Sequence, residues 1–282
     1  MDPTQIEVDG ARIAVWERPG LDPAVLFCHA TGFHARCWDA VTDHLVQRSI
    51  CLDMRGHGRS SKPEPPIPWR RFGEDVAAAT AKLGIKGAVG VGHSMGGHSL
   101  ALAAALAPEA FSQLVLIDPV ILPEKAYTGP ETAPHYARKR RNRFESWQVM
   151  LERYGGRSPY DRWDRQVLSD YCEYGLLPAP DGEGFVLACP PDIEGSIYEQ
   201  HSAPESNIHA EIARVTAPVT VIRSPLLFDN SAASDMLASP TTPDLASRFA
   251  SGRDVVAEYS HFIPMEAPEW VADQILRILP TR

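Results

Sequence analysis

Short apolar runs with little alternation recur through the first half of the chain, at residues 24–28, 49–53, 88–92 and 113–118. Runs that are apolar on both sides belong to strands buried on both faces, as in a parallel sheet covered by helices. Between them, residues 72–83 carry apolar side chains at helical spacing, and residues 97–107 are rich in Ala and Leu all round, the pattern of a helix packed on the sheet. Ahead of this alternation, residues 6–16 alternate about Asp9-Gly10 and predict an antiparallel hairpin at a sheet edge. Alternating β and α elements of this kind predict a doubly wound α/β fold.

The pattern changes after Pro119. Residues 121–212 bring Pro, Gly, Arg and aromatic side chains, with helical pieces at 143–154 and 164–174 but no clear buried strand. This stretch is expected to be an inserted, mostly helical cap. Its aromatics, among them Tyr127, Tyr136, Phe144, Trp147, Tyr154, Tyr160, Trp163 and Tyr171, are expected to form the cap's own core and packing surface, with the lining of an apolar substrate cleft as the alternative. The run Arg138-Lys139-Arg140-Arg141 with Arg143 reads as a solvated helix face, with carboxylate binding as the alternative. Residues 218–223 resume a strand pattern, 255–258 read as a further strand, and 268–279 as a closing amphipathic helix. Residues 227–243 are Ser/Pro-rich and loop-like. The expected organisation is a core of residues 1–119 and 214–282 with a cap of residues 120–213.

Composition narrows the function classes. With 27 basic and 36 acidic residues in a chain of 282, the net charge is -9, which disfavours nucleic acid or an anionic membrane as partner. No apolar run reaches the roughly 18 residues that a membrane span needs, and the first residues show no basic stretch or apolar leader. Five cysteines at irregular spacing, Cys28, Cys37, Cys51, Cys172 and Cys189, read as reduced thiols. The expectation is a cytoplasmic protein acting on a small molecule; homo-oligomerisation is compatible with the sequence.

The chemistry concentrates in Gly92-His93-Ser94-Met95-Gly96, a G-x-S-x-G sequence between a predicted strand and a predicted helix. A serine on a strained strand-to-helix turn is lifted clear of the sheet, and glycines two positions either side remove Cβ atoms that would collide. The following helix N-terminus offers N–H groups and a favourable dipole to a developing oxyanion.

With these residues the chain resembles the α/β-hydrolase superfamily over nearly its whole length. Phe27-Cys28-His29-Ala30-Thr31-Gly32 is similar to the family's H-G-x segment, with Ala30 where Gly is usual, and residues 53–60 are similar to its D-x-R-G-H-G-x-S turn. The resemblance implies an α/β-hydrolase fold: a mostly parallel central sheet with helices on both faces and an inserted helical cap. It makes Ser94 the nucleophile and the backbone N–H groups of Thr31 and Met95 the oxyanion hole. His29, His57 and His93 are expected to hold loops rather than do chemistry. The base must come late in the chain, and His261, in a segment similar to the family's G-x-H-F-x-x-x-E-x-P loop, meets that order; His201 and His209 are the alternatives. For the acid, Asp118 at the end of its strand competes with Asp235 and Asp229 in the lengthened loop after the next strand.

A serine at this turn points to acyl transfer, because relatives that attack carbon use a carboxylate there. The expected activity is hydrolysis of a carboxylic ester or lactone, with no cofactor and no metal. Two alternatives stay open: a carbon–carbon bond hydrolase with the same three residues, and a hydrolase-like ligand receptor with little turnover.

Overall fold

A computed structural model describes residues 2–225 and 237–279. Its strands are β1 (Thr4–Val8), β2 (Ala11–Arg18), β3 (Leu21–Cys28), β4 (Gln47–Leu52), β5 (Ala88–His93), β6 (Phe111–Ile117), β7 (Arg143–Phe144), β8 (Leu176–Pro178), β9 (Phe185–Leu187), β10 (Val219–Arg223) and β11 (Gly252–Val256). Eight of them form one sheet in the order β1-β2-β4-β3-β5-β6-β10-β11. β1 and β2 pair antiparallel about the Asp9-Gly10 turn, β2 pairs antiparallel with β4, and every other neighbour is parallel.

Alternation along the central strands explains why they lack a polar face. Leu26 and Cys28 point into one apolar layer with Leu114 and Leu116, under helices Trp69–Lys82 and Met95–Leu106. Val25 and Phe27 point into the opposite layer with Val89, Val91, Val115 and Ile117, against Trp38, Val41 and helix Pro268–Leu276. Both faces are therefore dry, as the continuous apolar runs require.

Three elements differ from the sequence-based expectation. β11 lies three residues earlier than predicted, because it is an edge strand whose residues are mostly exposed, so hydrophobicity carries no signal there. The predicted helix over 143–154 begins only at Trp147: the Ser146 side chain caps it by accepting from Val149 N at 3.4 Å, and Arg143–Phe144 is strand. That strand joins β9 and β8 in a small antiparallel sheet, β7-β9-β8, built from pieces of two and three residues, too short to show a period.

The stretch between β6 and β10 is fastened to the rest of the chain. Phe144, Met150, Tyr154, Trp163, Tyr171 and Leu187 share an apolar cluster with Ala30, Phe33, Cys37 and Phe262. Polar anchors add direction: Trp69 Nε1 donates to Ile197 O at 2.7 Å, and His98 Nε2 to Ser206 O at 2.8 Å. The five cysteines are buried and free. Among the described residues no helix is long and apolar enough to cross a membrane.

Candidate active site

β5 delivers Ser94 to the C-terminal edge of the sheet in a conformation that L-residues rarely adopt, φ 56° and ψ -119°. Two glycines make that turn possible. A Cβ at Gly92 would stand 2.5 Å from Gly96 O, and one at Gly96 would stand 2.2 Å from Cys28 O. Because the second obstacle is backbone of the neighbouring strand β3, no side-chain shift relieves it. Gly96→Ala is expected to destabilise the fold by at least about 3 kcal/mol, the scale of severe backbone strain, and to empty the soluble fraction or lower the urea midpoint markedly. An unchanged midpoint would show that the turn can widen.

His261 reaches the serine from the segment between β11 and helix Pro268–Leu276. Its Nε2 lies 3.1 Å from Ser94 Oγ, and its Nδ1 lies 2.7 Å from Asp118 Oδ2. Asp118, directly after β6, is fully buried and also has a positive φ of 42°. The loop that carries His261 is pinned on both sides. Its N–H donates to Leu237 O at 2.9 Å, and its carbonyl accepts from His93 Nε2 at 2.8 Å. Next to it Ser260 N donates to Glu266 Oε2 at 3.1 Å, and the Ser260 hydroxyl donates to the same carboxylate, so the Glu of the H-F-x-x-x-E sequence closes the loop.

Thr31 is brought beside the residue after Ser94, its Oγ1 donating to Met95 Sδ at 3.3 Å, and among the described residues the backbone N–H groups of Thr31 and Met95 have no hydrogen-bond partner. Their surroundings fix the loop instead. Phe33 N donates to Ala30 O at 3.2 Å, so Ala30 still permits a tight turn, and Gly32 N donates to His57 Nε2 at 3.0 Å with φ 81° at Gly32. His57 Nδ1 donates to Arg55 O at 2.9 Å, and His29 bridges Ala30 O and Met54 N in the same way. Both rings therefore serve as neutral connectors, and burial drives His29 down to about 4 and His57 well below the ordinary value. His93 is likewise pushed far down by burial. Asp53 ties the same region together, accepting from Trp16 Nε1, Ala35 N and Arg59 N at 3.0, 2.8 and 2.8 Å.

The remaining candidates stand elsewhere. His201 Nδ1 bonds Tyr198 O at 2.6 Å and His209 Nε2 bonds Leu122 O at 2.8 Å, and neither contacts Ser94. Asp229 and Asp235 lie outside the described residues. The basic run is not a uniform solvated helix face: Arg138 pairs with Glu199, Arg141 with Glu145 and Arg143 with Asp181, but Arg140 turns inward. There it meets Glu194 at 2.6 Å and Tyr171 Oη at 2.8 Å, because residues 136–139 form a single tight turn that rotates successive side chains to different sides. Arg140, Glu194, Trp163 and Thr31 border a cavity of about 20 Å³, room for about one water. The inward Arg was invisible in the sequence, since a charge run has no marker for the one member that turns inward.

The model of the alpha/beta hydrolase family matches residues 25–274. The chain belongs to the alpha/beta hydrolase family. This hydrolase is 31% identical to an esterase of Mycobacterium tuberculosis over 156 residues, 51% of this chain and 50% of the relative, so the match spans about half of the relative's length. Its fold is close to that of a solved E-2-(acetamidomethylene)succinate hydrolase, with TM-score 0.77, 22% identity and coverage of 98% and 97% of the two chains. It also superposes on the enol-lactonase from Burkholderia xenovorans, with TM-score 0.67, 18% identity and coverage of 97% and 98%.

Proposed function

We propose that this alpha/beta hydrolase cleaves a small-molecule carboxylic ester or lactone through an acyl-enzyme on Ser94. The observation that carries the reading is the placement of the His261 imidazole between Ser94 Oγ, at 3.1 Å, and the Asp118 carboxylate, at 2.7 Å. In this reading His261 Nε2 takes the serine proton as Oγ attacks the acyl carbon, and Asp118 holds the Nδ1–H tautomer and stabilises the imidazolium. The N–H groups of Thr31 and Met95, without a partner among the described residues, receive the oxyanion. His261 returns its proton to the leaving alkoxide, then activates a water that releases the acid and frees Ser94. Residues 120–213 act as a cap over a core of residues 1–119 and 214–282. Relatives named as an esterase and an enol-lactonase support the bond type.

Ser94→Ala tests the reading. Hydrolysis of p-nitrophenyl acetate and butyrate should fall by about 10⁴-fold or more, and covalent labelling by a fluorophosphonate should vanish. A wild type that is inactive on every ester and lactone tried and that takes no label would refute it, and would favour a binding role for the site.

A further inference from the structure

The Asp118 carboxylate turns only one oxygen, Oδ2, to His261. The other, Oδ1, is met among the described residues by three donors from the chain beyond β10: Ser224 N at 3.2 Å, Ser239 Oγ at 2.5 Å and Thr241 Oγ1 at 3.1 Å. Ser239 and Thr241 are 2% and 3% exposed, so water does not stand in for them. The two hydroxyls are not equivalent. The Thr241 proton is shared with Pro119 O, 2.8 Å away. Ser239 Oγ instead accepts the Thr241 backbone N–H at 3.3 Å, which turns its own proton toward its single acceptor among the described residues, Asp118.

We propose that Ser239 is a positioning residue for the acid: its hydroxyl, oriented by the Thr241 N–H, pins Oδ1 and so holds Oδ2 against His261. The inference rests on the acyl-transfer reading of Ser94, His261 and Asp118. A fully buried carboxylate needs its lone pairs satisfied, and a hydrogen bond to a charged group is stronger than one between neutral partners. Without Ser239 the carboxylate can swing about its own axis, and its negative charge, short of one donor on Oδ1, pulls harder on the proton it shares with His261 Nδ1. Among the described residues, His93 is the further titratable group that meets the pair, its ring 5.0 Å from that of His261. The loop after β10, where the family resemblance more commonly places the acid, here contributes the hydroxyl that orients it.

The test compares Ser239→Ala, Ser239→Thr and Thr241→Val, in wild-type and Asp118→Ala backgrounds, by p-nitrophenyl acetate hydrolysis between pH 6 and 9 with thermal melts as a folding control. Ser239→Ala should lower kcat about tenfold to a hundredfold with KM little changed, and move the acid limb of kcat/KM to higher pH. Ser239→Thr should restore most of the rate, Thr241→Val should cost less than Ser239→Ala, and in the Asp118→Ala background Ser239→Ala should cost almost nothing more. A wild-type kcat and acid limb in Ser239→Ala, or an equal loss in the Asp118→Ala background, would overturn the inference. A wild type that neither turns over esters nor takes a fluorophosphonate fails the underlying reading and removes this inference with it.

Discussion

Replacing Asp118 by Asn is expected to lower kcat/KM for p-nitrophenyl acetate about 10⁴-fold while leaving the protein folded. The reason lies in the donors around Oδ1. Ser224 N, Ser239 Oγ and Thr241 Oγ1 all approach that position, so an Asn must place its carbonyl oxygen there and turn its amide nitrogen to His261. An N–H facing Nδ1 forces the proton onto Nε2. That nitrogen lies 3.1 Å from Ser94 Oγ and must be unprotonated to accept the serine proton. The substitution thus keeps the shape and reverses the tautomer. Asp235→Asn and Asp229→Asn, measured beside it, are expected to stay within about twofold of wild type. An Asp235→Asn variant as slow as Asp118→Asn, or a wild-type rate in Asp118→Asn, would reassign the acid.

Acid should unfold this protein well above the usual carboxylate range. Burial lowers His29, His34 and His98 to about 4 and drives His57 and His93 well below their ordinary value, outweighing the favourable pull of Asp53 on His29 and His34. In the unfolded chain each titrates near 6.5. Through these rings the unfolded state binds more protons than the native state between pH 6.5 and 4, offset in part by Asp170, which burial raises to about 6, and their contribution to stability falls as pH falls; it is fully present above about pH 6.5. Each of His29, His34 and His98 loses about 2 kcal/mol of stabilisation between pH 7 and 5, and all five buried rings together rival a typical total stability of about 5–15 kcal/mol. Urea unfolding followed from pH 7.5 to 5 should show a slope of unfolding free energy against pH equivalent to at least about three protons. A slope below about one proton would mean that these rings are protonated in the native state.

Much of the fold is legible in the residues themselves. The apolar runs of β3, β4, β5, β6 and β10 stand out because both faces of those strands are covered, and the Gly92 and Gly96 pair announces the turn because no Cβ fits beside Cys28 O or Gly96 O. His261 is legible through its loop, whose Glu266 has a structural task that the residue pattern already reflects. The bounds of β11 and the β7-β9-β8 sheet were not legible, since an exposed edge and strands of two or three residues leave no periodic trace.

The sequence by itself therefore determined the fold class, the strained serine and the late histidine, because each depends on local sterics or on an apolar period that neighbouring residues write into the chain. Only the tertiary structure decided which Asp stands against His261, that Ser239 and Thr241 gather on Oδ1, and that Arg140 alone of its run turns inward. Those are matters of distance between segments far apart in the chain: Asp118 and His261 are 143 residues apart, and Asp118 and Ser239 are 121. No local pattern encodes such a distance, because it is set by how the strands order in the sheet and where each loop leaves its edge.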